Sequence, residues 1–465
     1  MAGPAIPTEI LAGIFGRLSP SYLAIASRVC RAWKTAAFPP LYRTVRLCLA
    51  SHLEQLTQRI HREDAGSQFS ISTHLQGLVL DIKYIDNDEE EMITESDLGN
   101  INAIIPRLIH LKCLSWNLMF VPRDPETFRL FQTQCPELAS VHVWIQGDID
   151  FYSGQYKSLL EFKNLSYFSL SIRNIPPGFD DHQLDPLASL LTRCPQLSSI
   201  ALDLNSGDGE SEYSPTTLAT ALGDCVFPNL RHFYAQGNED PKWTEFFEDP
   251  ESHPFRQFLA RHPGIEDLAL GYIEETGYGD DIDPAEIEQL FPSLKHFEGP
   301  SFLFLPLVLS TLAEQIETLV IVDDPLSDDE VPLSKMYDKT PMLPKLRKFG
   351  IWAGVIEEDI LVNLLRTVVN AASQLEEIEI HQDIDGGDYE EVIGLIAQVQ
   401  DLCSVTLNES ILNVAAENDD KAELGWDEFA SNLRYSCPRL QTIYRPIRKF
   451  GGENRQKVWE LRDYA

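Results

Sequence analysis

Basic residues are scarce in this chain: 37 lysines and arginines stand against 72 aspartates and glutamates, a formal charge of −35. That charge repels nucleic-acid phosphates and anionic lipid headgroups, so neither nucleic acid nor a membrane is an expected partner, and a basic protein surface is. Long apolar runs are missing as well. The longest, "FLFLPLVLSTLA" from Phe302, is interrupted by Pro306 and falls well short of the roughly 20 residues that a bilayer-spanning helix needs. The opening "MAGPAIPTEILAGIFGRL" has no basic n-region and no small-residue cleavage site, so secretion is not expected. Gly 26 and Pro 29 are too few for a collagen-like or disordered chain. The cysteines, Cys30, Cys48, Cys113, Cys135, Cys194, Cys225, Cys403 and Cys437, form no C-x-x-C pair and no zinc-finger spacing. They read as small buried apolar residues in a reducing compartment, and a cytoplasmic or nuclear location is expected.

Chemistry lacks its starting residues too. There is no G-x-x-x-x-G-K-[ST], no H-E-x-x-H and no G-x-S-x-G, and the "HRED" at His61 has neither a Gly-rich loop nor a following Asp-Phe-Gly. No catalytic residue, no cofactor and no metal site is expected.

What is present begins with three short helices. Ile10, Leu11, Ile14, Phe15 and Leu18 fall at helical spacing behind a Pro7-Thr8 start. Ser19-Pro20 opens a second helix carrying Tyr22, Leu23 and Ala26. A third groups Val29, Cys30, Trp33 and Ala37 on one side, and Phe38-Pro39-Pro40 is expected to end it. A module of about 40 residues is at the lower limit of independent stability, so its surplus apolar surface must rest on the following domain or on another protein.

The stretch "IPTEILAGIFGRLSPSYLAIASRVCRAWKTAAFPPLYRTV" resembles an F-box, with its Ile-Pro-x-Glu-Ile-Leu start, its Ser-Pro turn and its Val-Cys-x-x-Trp in the third helix. The resemblance implies binding to the Skp-type adaptor of a cullin-based ubiquitin ligase. By it Pro7, Ile10, Leu11, Ile14, Phe15, Leu18, Leu23, Val29 and Trp33 map onto the family's core and adaptor-facing positions and are the candidate adaptor-binding residues. Tyr22 stands where the family commonly has an acidic residue before the leucine.

The rest of the chain repeats itself. A leucine or isoleucine, usually after x-Pro-x, is followed by apolar residues three and five positions later. The clear copies are "CPELASVHVW", "CPQLSSIALD", "FPNLRHFYAQ", "HPGIEDLALG", "FPSLKHFEGP", "LPKLRKFGIW" and "CPRLQTIYRP", and looser ones stand at Leu75, Leu111, Leu165, Ile316, Leu375 and Leu402. Most anchors follow a helical pattern, so the unit is helix, proline turn, strand. This pattern resembles the cysteine-containing leucine-rich repeats that commonly follow an F-box, notably in fungal F-box proteins. The fold class expected is α/β: a small three-helix F-box, then a leucine-rich-repeat solenoid with a parallel sheet on the concave side and helices on the convex side. The boundaries expected are an F-box-like domain at 1–45, a linker with the first cap elements at 46–74, the solenoid at 75–444 and a C-terminal cap at 445–465. The cap segment is basic and its Val458, Trp459 and Leu461 are expected on a helix.

Side chains alternate along a strand, so residues two, four and six positions after each anchor face the concave surface. That register presents His142, Trp144, Tyr167, His232, Tyr234, His296, Trp352, His381 and Tyr444, together with Lys348, Glu377 and Glu379, as candidate substrate-binding residues. Rigid aromatic side chains suit partner recognition. Acidic segments from Asp86, Ser206, Glu274, Asp323, Asp383 and Ala416 follow the strands and are expected to form a rim attracting a basic segment of the substrate. Taken with the resemblance, the function expected is substrate recognition in a Skp–cullin–F-box ubiquitin ligase, by contact with the adaptor and through it a cullin. The alternative is a non-catalytic interaction scaffold outside any ligase.

Overall fold

The computed structural model describes residues 7–63, 67–82, 92–146, 150–173, 184–205, 213–237, 241–271, 282–322, 342–352, 355–356, 358–381, 383–384, 389–408, 426–446 and 455–460. The chain divides into two compact units, one of residues 1–176 and 182–197, the other of residues 177–181 and 198–465.

The first unit opens with α1 (Thr8–Phe15), α2 (Pro20–Ala26) and α3 (Arg31–Leu41). Pro20 sits at the first position of α2, where its missing N–H has no helical partner to lose. α3 does not end at the double proline, contrary to expectation. Pro39 and Pro40 lie inside its last turn: a helical φ suits proline, each forgoes its N–H bond to the preceding turn, and Tyr42 N–H still donates to Phe38 O at 3.1 Å. Phe38, buried, packs edge-on against Phe69 with centroids 5.3 Å apart, which ties the module to the chain that follows.

Parallel strands β1 (Thr44–Leu47), β2 (Gly77–Asp81), β3 (Cys113–Met119), β4 (Ser140–Gln146) and β5 (Tyr167–Arg173) then pair in sequence order. Helices at Ala50–His61, Leu98–Ile104, Glu126–Gln134 and Gly154–Leu159 separate them.

The second unit continues the scheme with β6 (Ser199–Asn205), β7 (His232–Gly237), β8 (Asp267–Leu270), β9 (His296–Gly299), β10 (Thr318–Ile321) and β11 (Lys348–Ile351), all parallel. A two-residue pair, β12 (Val355–Ile356) and β14 (Asp383–Ile384), stands apart from the main sheet. The sheet proceeds through β13 (Glu377–Ile380), β15 (Ser404–Leu407) and β16 (Thr442–Pro446). β17 (Arg455–Glu460) closes it, antiparallel to β16. This corrects the helix expected over Val458 and Trp459, where pairing with the open edge of β16 satisfies the backbone groups; Leu461 lies outside the described residues.

Every repeat anchor lies two residues before a strand and is buried, from Leu75 before β2 to Leu440 before β16. The residues three and five positions later form the core under the helices: Phe233 packs on Phe258 with centroids 5.0 Å apart, and Trp116 on Phe128 at 5.0 Å. The turns share one hydrogen-bond device. The N–H groups of Ala139 and Ser140 both donate to Lys112 O, and those of Glu376 and Glu377 both donate to Arg347 O, each 3.0 Å or shorter. The carbonyl just after one anchor thereby seats the next strand, a job done without a regular asparagine. The residue before the proline reaches back as well: Cys135 Sγ approaches Ile105 O at 4.0 Å, Cys194 Sγ Phe162 O at 3.9 Å, and Cys437 Sγ Ile396 O at 3.6 Å. Burial pushes the Cys135 thiol up to about 12 and Cys437 to about 11, so both stay protonated donors. Cys30 and Cys113, by contrast, are exposed rather than buried. They lie outside the x-Pro positions that create the buried slot.

Candidate functional site

Two surfaces hold the candidate residues. In the helical module, Leu11 and Phe15 of α1, Leu23 and Ala26 of α2, and Ala36 and Ala37 of α3 form one closed core, with Leu18, Trp33 and Leu41 packed against it. Trp33 is half-buried and meets Phe15 edge-on, centroids 5.4 Å apart. Leu11, Phe15 and Leu23 stand in the candidate adaptor-binding set, yet their side chains are consumed by this core. A short helix in a small module spends its best-placed apolar residues on its own neighbours.

What is left over is unusual. Ile10 is 56% exposed, Ile14 48%, Tyr22 63%, Ile25 63% and Val29 60%. α1 is apolar on two adjacent faces, since Ile10 and Ile14 are one turn apart on one and Leu11 and Phe15 one turn apart on the other. Among the described residues, only the second is buried in the module's core. Pro7 is exposed as well. Val29 lies in the turn between α2 and α3 rather than on α3. Tyr22 and Ile25 were legible from spacing: they stand three apart on α2, on the face next to that of Leu23 and Ala26.

The second surface is the sheet face opposite the helices. In the first unit, His142 Nδ1 lies 2.7 Å from Ser169 Oγ on the next strand, and burial lowers its pKa against the pull of Asp81, so it is neutral at pH 7. Trp144 is buried, not presented, and its indole Nε1–H has no hydrogen-bond partner. Tyr167 is half-buried.

In the second unit, His232 Nδ1 lies 3.3 Å from Asp267 Oδ2, which also accepts from the Tyr234 hydroxyl. His296 Nδ1 is 2.9 Å from Thr318 Oγ1. Trp352 Nε1–H donates to Glu379 Oε2 at 3.0 Å while its ring stacks on His381, centroids 5.1 Å apart at 22°. Lys348 Nζ lies 3.0 Å from Glu379 Oε1, 3.8 Å from Glu377 and 5.9 Å from the Trp352 ring centroid. Tyr444 is half-buried. Glu298 was missed by the sequence reading although it stands four after Leu294, in register with the face. Burial pushes its carboxyl up to about 7, opposed by Lys348 and reinforced by Asp267 and Glu379, and Gln236 Nε2–H donates to it at 2.5 Å. The face is thus a set of cross-strand polar links, with acid and aromatic groups gathered on β7–β13. The acidic segments expected as a rim fall largely outside the described residues. Among the described residues no group of three His, Cys, Asp or Glu could hold a metal ion, and no helix is long and apolar enough to cross a membrane.

Residues 4–48 match the F-box-like family. The chain therefore joins an F-box-like N-terminal motif to repeats of parallel strand and helix. No curated protein matches the whole sequence significantly. Among solved structures, the chain is similar to one in the crystal structure of the Rad7 and Elc1 complex in yeast, with 14% sequence identity over 96% of this chain and 91% of that one and a TM-score of 0.45.

Proposed function

We propose that the chain is the substrate-binding subunit of a Skp–cullin–F-box ubiquitin ligase, acting in the cytoplasm or nucleus. α1–α3 dock on a Skp-type adaptor, the adaptor holds the cullin, and the sheet face holds a protein carrying basic residues. The observation that carries this reading is the exposed apolar set Ile10, Ile14, Tyr22, Ile25 and Val29 on a module whose own core is already closed. Exposed apolar side chains concentrated in twenty residues mark a partner site, and the F-box-like match over residues 4–48 supports a Skp-type adaptor as that partner. Ile10, Ile14 and Val29 make the adaptor contact, flanked by Pro7, Tyr22 and Ile25, while Leu11, Phe15, Leu18, Leu23 and Trp33 hold the helices in place.

The mechanism is positioning. Holding a substrate near a charged conjugating enzyme raises the effective concentration of its lysines, which makes the transfer quasi-intramolecular without any catalytic group in this chain. Hydrogen exchange tests the docking surface directly: adding a recombinant Skp-type adaptor should protect amides of residues 7–33 and leave those of β6–β16 unchanged. Protection confined to the repeats, or none anywhere, overturns the reading.

A further inference from the structure

The charge of the chain is unevenly placed. Residues 1–43 carry Arg17, Arg28, Arg31, Lys34 and Arg43 against Glu9 alone, a balance of +4, so the remainder of a chain that sums to −35 holds −39. All five cations are exposed, and among the described residues none of them pairs with a carboxylate. Lys34 lies over the Phe69 ring, 5.0 Å from its centroid. Exposed cations of the repeats do find acids: Arg129 meets Glu126 at 3.1 Å, Arg439 meets Asp401 at 2.9 Å, and Arg366 pairs with Glu391. Two of the free arginines stand where the exposed apolar stripes end. Arg17 N–H donates to Ile14 O at 3.1 Å, so the backbone keeps winding past α1, and Arg17, seven residues after Ile10, falls close to the Ile10–Ile14 stripe. Arg28 N–H donates to Ile25 O at 3.0 Å and likewise continues the Tyr22–Ile25 stripe of α2. Arg31, the first residue of α3, follows the exposed Val29 by two.

Resting on the reading that α1–α3 dock on a Skp-type adaptor, we propose that the adaptor surface receiving the exposed isoleucines is bordered by carboxylates, which meet Arg17, Arg28 and Arg31. The module is the positive end of an acidic chain, so it attracts an acidic partner while the repeats attract a basic one. Net charge alone predicts the reverse for this contact, because a chain of −35 repels an acidic protein. Screening decides between them. At physiological salt the Debye length is about 8 Å, so charges within the docking surface act on the partner while carboxylates farther away are damped. Apolar stripes with arginines also suit an anionic bilayer. A bilayer extends past the module, however, and would repel the acidic remainder, which favours a protein surface small enough to meet the module alone. Rim arginines act mainly on the rate of association, and the buried isoleucines on the lifetime of the complex.

Stopped-flow mixing of the full chain with a fluorophore-labelled Skp-type adaptor gives kon and koff as salt is raised from about 0.03 to about 0.5 M. The parent's kon should fall about tenfold across that range while koff changes about twofold or less. Arg17→Gln combined with Arg28→Gln should lower kon about fivefold at the lowest salt and flatten its salt dependence, with koff and the thermal melt close to the parent's. A lowered melt with kon unchanged would reduce both arginines to partners of the helix dipole and overturn the proposal. A kon that rises with salt would overturn it too, since the acidic remainder would then govern the encounter or occupy the module itself. Sedimentation with phosphatidylserine vesicles at the lowest salt is the other arm: binding that the double variant loses would assign the stripes to a lipid surface, against the proposal. The same traces separate the two readings. Adaptor binding at a rate independent of salt sinks the acidic border alone, whereas no adaptor binding at any salt sinks the docking reading and the acidic border with it.

Discussion

Truncating Ile10 and Ile14 together to alanine separates docking from folding. Burying a whole isoleucine side chain is worth about 1.5–3 kcal/mol. Ile10 at 56% and Ile14 at 48% exposure keep roughly half of that in reserve for a partner, about 1 kcal/mol each. The double variant should therefore lose about 2 kcal/mol of adaptor affinity, roughly 30-fold in Kd. The folded chain loses little, because exposed positions away from the core change stability by about 0.5 kcal/mol or less. Leu11→Ala is the contrasting control: buried in the module core, it should cost about 2–5 kcal/mol of folding stability and lose adaptor binding only through unfolding. The assay is calorimetric titration of a Skp-type adaptor into the full chain, with circular dichroism melts of the same samples. Affinity of the double variant within about twofold of the parent would refute the reasoning, since the exposed isoleucines would then have no partner to bury them.

Other outcomes follow from the same geometry. Trp33→Ala removes the edge contact with Phe15 at 5.4 Å and should destabilise the helical module by about 2 kcal/mol, the loss of a half-buried indole. Peptide amides of α1–α3 that exchange no faster in the variant would show that Trp33 is not a core strut. Burial depresses the pKa of His262, whose Nε2 accepts the Phe227 N–H at 2.8 Å while Nδ1 donates to Phe258 O. A base whose folded pKa lies below its unfolded value of about 6.5 stabilises fully above that pH and loses the contribution as pH falls through the folded pKa. The stability difference between parent and His262→Gln should therefore shrink from pH 7.5 to pH 5, and a difference independent of pH contradicts it. Glu298 has the opposite sign. Its carboxyl titrates at about 7 when folded, against an ordinary 4.5, so the stability of the protonated form is full below 4.5 and is lost as pH rises through 7. Glu298→Gln, neutral throughout, should gain on the parent between pH 4.5 and 8, approaching about 3 kcal/mol. Parallel urea-unfolding curves at both pH values would contradict this.

Much of the architecture was legible because the repeat writes one physical rule many times. Each anchor leucine precedes its strand by two residues, and the alternating residues after it go to the core, so register followed from spacing alone. The proline before most anchors was also informative, ending each helix where the shared carbonyl seats the next strand. β1 was not legible, since "TVRL" has no anchor ahead of it and pairs only because β2 offers an edge. The C-terminal strand was read as a helix because its periodicity is short, and the open edge of β16 decided the outcome.

Site residues were harder. Spacing showed that α1 is apolar, but not which of its two adjacent faces the module would close on. Trp144 obeys the register and is nevertheless buried, because exposure on a sheet face depends on the side chains of neighbouring strands as much as on alternation. Glu298, Ser404 and Thr406 follow the same rule at positions two and four after their anchors. They went unnoticed because a lone glutamate, serine or threonine on a strand has no motif; their significance comes from burial and, for Ser404 and Thr406 alone, from the partners they lack.

The measurement that bears most directly on the central claim is size-exclusion chromatography with light scattering on the full chain mixed with a Skp-type adaptor and a cullin. The account requires a stable complex containing one copy of each, assembled only when Ile10 and Ile14 are intact. Elution of the unsubstituted chain apart from the adaptor, or a complex that forms equally well with both isoleucines truncated, would contradict it.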